Sequence, residues 1–286
     1  MNFEHRFTEI NGVRLHVVEA GPAKGPLVVF LHGFPEYWGA WRKQLEAFAD
    51  AGFHAVAPDQ RGYNLSDKPK DVHDYAVHEL ARDVSELITI LGYKDAILVG
   101  HDWGGIVAWW TATLYPEKVS KLAVLNMCHP SVLKKTIKTD RRQSLRSWYM
   151  FAFQPPRIPE FTLRALNFRV LTEIMVRSSR VGTFDAAALK GYRDAWSQPA
   201  ALTGMLNWYR ALFQAKPKNF PKKPLTMPTR LIWGTQDHFL LAEMAHKSLK
   251  YCEKAELILI PDATHWVQHE QSGRISELLL EFARQT

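Results

Sequence analysis

A carboxylate raised on a tight turn can attack carbon, and the stretch Gly100-His101-Asp102-Trp103-Gly104-Gly105 offers one. It follows the apolar run 96–99 and precedes a helical pattern. Small residues on both sides of Asp102 permit a strained strand-to-helix elbow that lifts one side chain out of the core. Alone, the pattern also fits an Asp that caps a helix. Two further loops shift the balance. Asp237 follows the apolar segment 230–233, and His265 follows 257–260. A carboxylate nucleophile would form a covalent ester. His265 could then activate water, with Asp237 orienting the imidazole and stabilising its charged form. Water attack on that ester creates an oxyanion. The backbone N–H of Trp103, at a helix start where donors are unpaired, is one candidate to hold it. The N–H of Phe34, in His32-Gly33-Phe34-Pro35-Glu36, is the other. A carboxylate nucleophile suits sp³ carbon with an internal or good leaving group, whereas ordinary ester and amide cleavage uses Ser or Cys.

The elements that must position these groups read as follows. Residues 7–10 and Val13–Ala20 flank Asn11-Gly12, a hairpin signal. The continuous apolar run 26–31 marks a strand buried on both faces. A helix with Trp41, Leu45 and Phe48 on one side follows, then a strand over 53–58. Leu80, Val84, Leu87, Ile88 and Leu91 keep helical spacing up to Gly92. The elbow strand, its helix and a strand over Val119–Leu125 complete this half. Strands and helices alternate, which predicts a mostly parallel sheet with helices on both faces. From Pro130 to Lys223 there are helical patterns and no strand signal. Pro217, Pro221, Pro224 and Pro228 mark the return to strands at 230–233 and 257–260. Ser272 is expected to cap a last helix. The division is therefore a core over 1–129, a helical insert over 130–223, and the rest of the core over 224–286. In such sheets, loops at the carboxyl ends of strands line one crevice.

At 286 residues the chain can hold one large α/β domain with an insert. The opening residues carry Glu4, His5, Arg6 and Glu9 and do not read as a signal peptide. No apolar run reaches the ~18 residues of a membrane span. Cys128 and Cys252 are too few and too far apart for a disulfide framework or a zinc site. A cytoplasmic location is expected, with no nucleic acid, no membrane and no metal. The net charge is +7, yet residues 131–223 hold 18 Lys or Arg against 5 Asp or Glu. Because these cations are spread among apolar residues without a binding motif, they read as the solvated outer face of the insert.

The order nucleophile, acid, His is that of an α/β-hydrolase triad. Over essentially its full length the chain resembles the epoxide hydrolases of that superfamily. The resemblance rests on His32-Gly33-Phe34-Pro35-Glu36, residues 59–66, Gly100-His101-Asp102-Trp103-Gly104-Gly105, the Asp237 loop and His265-Trp266. It implies an α/β-hydrolase fold with an all-helical cap. It also implies conversion of an apolar epoxide and water to a vicinal diol, with no cofactor, in a detoxifying hydrolase that is a monomer or homodimer. In this family two cap tyrosines hold the oxygen of the opening ring. Trp148-Tyr149-Met150-Phe151-Ala152-Phe153-Gln154 and Met205-Leu206-Asn207-Trp208-Tyr209-Arg210 match those motifs, so the role passes to Tyr149 and Tyr209. Phenols suit it, with an ordinary pKa of ~10 against a far more basic alkoxide. Phe34, Trp103, Phe151, Met205 and Trp266 are the expected pocket wall. Tyr75, Tyr192 and Tyr251 lie in no such motif and read as ordinary packing.

A haloalkane dehalogenase uses the same nucleophile, and Trp103 could donate to a halide. That family usually places Asn after His-Gly, where this chain has Phe34, and has no need of two cap phenols. A fluoroacetate dehalogenase would carry Arg beside the nucleophile. A non-catalytic relative acting as a binding protein would generally have lost a triad member.

Overall fold

The computed structural model describes residues 3–215 and 223–285, so Pro217 and Pro221 lie outside the described residues. The first half runs β1 (Glu4–Ile10), β2 (Val13–Ala20), β3 (Leu27–Leu31), α1 (Arg42–Asp50), β4 (His54–Pro58), α2 (Val77–Ile90), β5 (Ala96–His101), α3 (Trp103–Leu114) and β6 (Val119–Leu125). Six helices follow: α4 (Pro130–Thr139), α5 (Arg141–Arg146), α6 (Tyr149–Ala152), α7 (Ile158–Ser178), α8 (Ala186–Trp196) and α9 (Ala201–Gln214). The chain then returns through β7 (Thr229–Gly234), α10 (Glu243–Ser248), β8 (Ala255–Ile260), α11 (Val267–Glu270) and α12 (Ser272–Arg284).

The strands form one sheet of eight in the order β1-β2-β4-β3-β5-β6-β7-β8. The β1–β2 hairpin turns at Asn11 and Gly12, both with positive φ, as a two-residue hairpin loop requires. β2 meets β4 antiparallel, and every later pairing is parallel. β3, β4, β5 and β7 are buried along their whole length. That burial explains their unbroken apolar runs. Two apolar layers cover the faces. Trp41, Leu45 and Phe48 pack on one side with Phe30, Ile275 and Phe282. Leu80, Val84, Leu87 and Ile88 pack on the other with α3 and the insert.

The last helix differs from expectation at its start. Gln271 is the N-cap, with no side-chain capping bond, and Ser272 is already helical. The Ser272 hydroxyl instead accepts from Lys43 Nζ at 3.2 Å. A second feature outside the sequence reading is the break in α7. Ala165 has an extended ψ, and Leu166, Asn167 and Phe168 adopt left-handed conformations, so α7 is two helical arms.

The insert sits between β6 and β7 and is tied to the core by polar contacts from its helices. Arg146 of α5 donates to the Asp237 carbonyl at 2.8 Å. Gln143 bridges Phe239 O and Leu241 N. Trp196 of α8 donates its indole N–H to Pro35 O at 2.6 Å, and Trp208 of α9 donates to Arg61 O at 2.9 Å. No described helix is long and apolar enough to cross a membrane.

Candidate active site

Strand β5 ends at His101, and α3 begins two residues later, so Asp102 must absorb the whole change of direction. It does so at φ 51° and ψ −122°, a region costly for a residue with a Cβ. The neighbouring backbone leaves no room to relax. A Cβ on Gly33 would lie 2.5 Å from the Cβ of Asp102, and one on Gly104 would lie 2.0 Å from Leu31 O. Only glycine permits both approaches. The close passage of the β3 loop aims the Phe34 N–H at Asp102 Oδ1, 2.9 Å away. Trp103 opens α3, so its N–H lacks an intrahelical acceptor. One backbone donor, the Phe34 N–H, thus reaches the carboxylate, and a second unpaired N–H, that of Trp103, adjoins it in sequence. Asp102 is 9 % exposed.

The other carboxylate oxygen faces an imidazole. His265 Nε2 lies 3.5 Å from Asp102 Oδ2, and its Nδ1 lies 2.8 Å from Asp237 Oδ2. Asp237 is held from four sides. Its Oδ1 accepts the N–H groups of Phe239 and Leu240, and its Oδ2 also accepts Asn126 Nδ2 at 2.8 Å. Burial opposes its charge, but His265 and these donors keep its pKa below the ordinary carboxylate value. Burial likewise opposes charge on His265. The Asp237 carboxylate and the hydrogen bond to Asp102 outweigh it and raise the imidazole to about 10. Asn126, which has φ 42° directly after β6, had no motif to mark it.

Across from this row stand two phenols of the insert. Tyr209 of α9 stacks edge-on against Phe34 at 5.2 Å and Trp103 at 5.1 Å. Tyr149 of α6 meets Tyr209 at 5.9 Å and Phe239 at 6.3 Å. Burial, together with negative charge at Asp102, pushes both phenols well above their ordinary pKa. They therefore stay protonated throughout the neutral range, as hydrogen-bond donors. Phe153 completes the ring cluster, 5.1 Å from Tyr209 and 5.6 Å from Phe34. Phe239 packs on the His265 ring at 5.0 Å.

The expected pocket wall is partly redrawn. Phe34 and Trp103 stand in the cluster. Trp266 is buried behind His265 and Phe239, its indole N–H on Ser178. Met205 is buried one helical turn before Tyr209. Phe151 is corrected: it is 58 % exposed and packs on Phe213. Residue 149 faces inward on the four-residue α6, which turns position 151 to the outside.

A second polar group lies under the elbow, and the sequence reading gave it no role. Glu36 is fully buried, with Oε2 3.0 Å from His101 Nδ1 and Oε1 2.7 Å from His269 Nε2. Tyr192 of α8 donates its hydroxyl to Glu36 Oε1 at 3.1 Å, and Gln268 Nε2 also reaches the carboxylate. Burial works against the charge, yet the two imidazoles hold the Glu36 carboxyl well below the carboxylate range. His101 Nε2 lies 2.8 Å from the His265 carbonyl, so it must carry a hydrogen. Tyr192, read as packing, is therefore a polar tie between the insert and the layer beneath the imidazole. Tyr75 is buried and donates to Pro69 O, and Tyr251 stacks on His129. No group of three or more His, Cys, Asp or Glu among the described residues is placed to hold a metal ion.

Residues 26–272 match the family model described as the alpha/beta hydrolase fold. The chain is 42 % identical to an AB hydrolase superfamily protein, YfhM, of Bacillus subtilis, over 98 % of this chain and 97 % of that one. It is 40 % identical to Epoxide hydrolase 1 of Caenorhabditis elegans, over 98 % of this chain and 70 % of that one. Among solved structures, the epoxide hydrolase of Bacillus megaterium in complex with an inhibitor superposes with a TM-score of 0.88. The sequences are 31 % identical, over 98 % of this chain and 100 % of that one.

Proposed function

The chain belongs to the epoxide hydrolases of the α/β-hydrolase fold, and from that premise we propose a two-step hydrolysis of an apolar epoxide on Asp102. The observation that carries this reading is the pair of protonated phenols, Tyr149 and Tyr209, set by the insert opposite a backbone-held carboxylate. A dehalogenase has no use for them.

In the first step the Asp102 carboxylate attacks one oxirane carbon from behind its carbon–oxygen bond. That bond breaks, and its electron pair goes to the oxygen, which the two phenols hold. In the free enzyme His265 carries an extra proton because two carboxylates face it. Ester formation makes Asp102 neutral and removes one of those charges. The imidazole then gives up its proton, which balances the proton gained by the new hydroxyl. Formation of the intermediate thus generates the base needed to destroy it. In the second step neutral His265 takes a proton from water, and the hydroxide attacks the ester carbonyl. The N–H groups of Phe34 and Trp103 hold the oxyanion. Asp237 stabilises the imidazolium that results. Collapse releases the vicinal diol and restores the carboxylate. The aromatic rings of Phe34, Trp103, Phe153 and Phe239 around the two phenols and His265 favour an apolar substrate.

A single turnover in heavy-oxygen water tests the scheme. Label should enter Asp102 and be absent from the first diol. Label in the diol from that first cycle would overturn the covalent route. A screen of styrene-like, aliphatic and fatty-acid epoxides, run beside a halide-release assay, identifies the substrate class.

A further inference from the structure

The outer face of the insert is at once apolar and cationic. Leu145 of α5, Trp148 at the start of α6 and Phe151 of α6 recur every three residues and are 64, 66 and 58 % exposed. Ile158 and Phe161, at the start of α7, are 66 and 80 % exposed. Phe213 of α9 meets the Phe151 ring at 5.4 Å. Arg210 holds these pieces side by side, donating to the carbonyls of Phe153 and Pro155 and to the Glu160 carboxylate. Soluble chains seldom leave so many large apolar side chains together in water. The same stretch, 141–180, contains 8 Arg, no Lys and 2 acidic residues. Both acids are already paired, Glu160 with Arg210 and Glu173 with Arg177. Among the described residues, Arg141, Arg157, Arg164 and Arg169 form no ion pair.

We propose that this face docks on the surface of an anionic phospholipid bilayer. Aromatic and aliphatic side chains that can enter the headgroup layer, set among guanidinium groups, make an interfacial anchor whose charge complements acidic lipids. A second copy of the chain is the poorer occupant, because two such faces would bring like charges together. The docking is peripheral, since no described helix can span a bilayer. Helix α6 turns Tyr149 inward and Trp148 and Phe151 outward. A docked chain would therefore hold its phenols about one helix diameter, ~10 Å, from the lipid in which apolar epoxides concentrate. That last link rests on the proposed reaction, whereas the docking does not.

The test mixes the purified full chain with vesicles of phosphatidylcholine alone, or of phosphatidylcholine with phosphatidylglycerol, and measures co-sedimentation. Binding is expected with the anionic vesicles only and should weaken in high salt. Trp148→Ser with Phe161→Ser should weaken it on the order of tenfold or more. Arg157→Gln with Arg164→Gln should weaken it about fivefold per charge removed. Both pairs should keep turnover of a water-soluble epoxide. If the serine pair loses its native circular dichroism, the arginine pair decides. Equal binding to neutral vesicles, no binding to anionic ones, or binding unchanged in the arginine pair overturns the proposal. So does a dimer that Trp148→Ser with Phe161→Ser dissociates while lipid binding is absent. Vesicle binding is read without substrate, so its failure is distinct from failure of the epoxide chemistry.

Discussion

Replacing Asp102 with Asn imitates the charge of the proposed ester intermediate and should expose the coupling proposed between Asp102 and His265. In the free enzyme the His265 imidazole is raised to about 10, against burial, by Asp237 and Asp102. The Asp102 oxygen lies 3.5 Å from Nε2. At an effective dielectric of about 20, a unit charge at that distance contributes about 5 kcal/mol, equivalent to roughly 3.5 pH units. The Asp102 side chain is 13 % exposed, and solvent screening trims the effect to a fall of roughly two to three pH units. In Asp102→Asn the amide oxygen can still accept from Phe34 N–H, and the amide N–H groups then face Nε2, further favouring the neutral ring. The assay is an NMR titration of the imidazole carbon-bound protons, with His265→Gln used for assignment. A midpoint that stays near 10 in Asp102→Asn would refute the idea that ester formation releases the base. Stability carries the same sign. A folded pKa raised above the ordinary 6.5 adds stability that is fully present below pH 6.5 and lost as pH rises through about 10. The thermal midpoint of the unmodified chain should therefore fall over that window, and that of Asp102→Asn should fall less.

His265→Gln should still open the ring but stall at the ester, consuming one equivalent of epoxide per site without releasing diol and adding the mass of the epoxide to the peptide containing Asp102. Steady turnover by that variant would remove His265 from the base role. Tyr209→Phe and Tyr149→Phe should each slow ester formation by about 10²-fold in rapid-mixing experiments. An unchanged rate in both would show that other donors hold the alkoxide. Gly104→Ala puts a Cβ against the backbone of Leu31 and should cost about 3 kcal/mol in urea unfolding. An unaltered midpoint would mean that the elbow relaxes more readily than its packing indicates.

What the sequence disclosed, and what it withheld, follow from the range of the forces involved. The strands could be read because β3, β4 and β5 are buried on both faces, which leaves an apolar run that composition alone reveals. Asp102, Asp237 and His265 stood out because each follows such a run, and the structure brings their side chains within 3.5 Å in sequence. The group around Glu36 had no such signal. Its partners lie 65, 156 and 233 residues away, and nothing local marks Tyr192 or His269 as polar partners of a buried carboxylate. Phe239 was missed for a shorter-range reason. The Asp237 side chain accepts its N–H and folds the loop back over the imidazole, a turn that residue types permit but do not demand. Phe151 was misplaced because the spacing of aromatics in a four-residue helix does not say which face is inward. Ser272 was misjudged by one position, where the backbone of Gln271 makes the bend instead.

The place of the insert, between neighbouring strands β6 and β7, has a consequence for the order of assembly. Strands β3 to β6 pair across short separations and complete the Asp102 elbow from the first half of the chain alone. Pairing β7 with β6 must first close the excursion from Leu125 to Thr229. That loop is about six times longer than the one joining β5 to β6, and costs roughly 1.5 kcal/mol more in closure entropy. Asp237 and His265 both lie beyond it. On the proposed mechanism, Asp102 is thus in place during synthesis before the groups proposed to reset it, Asp237 and His265, have been made. A chain that stops short of β8 would hold a nucleophile able to be alkylated once and unable to recover, so refolded molecules should gain capacity for alkylation before they gain turnover.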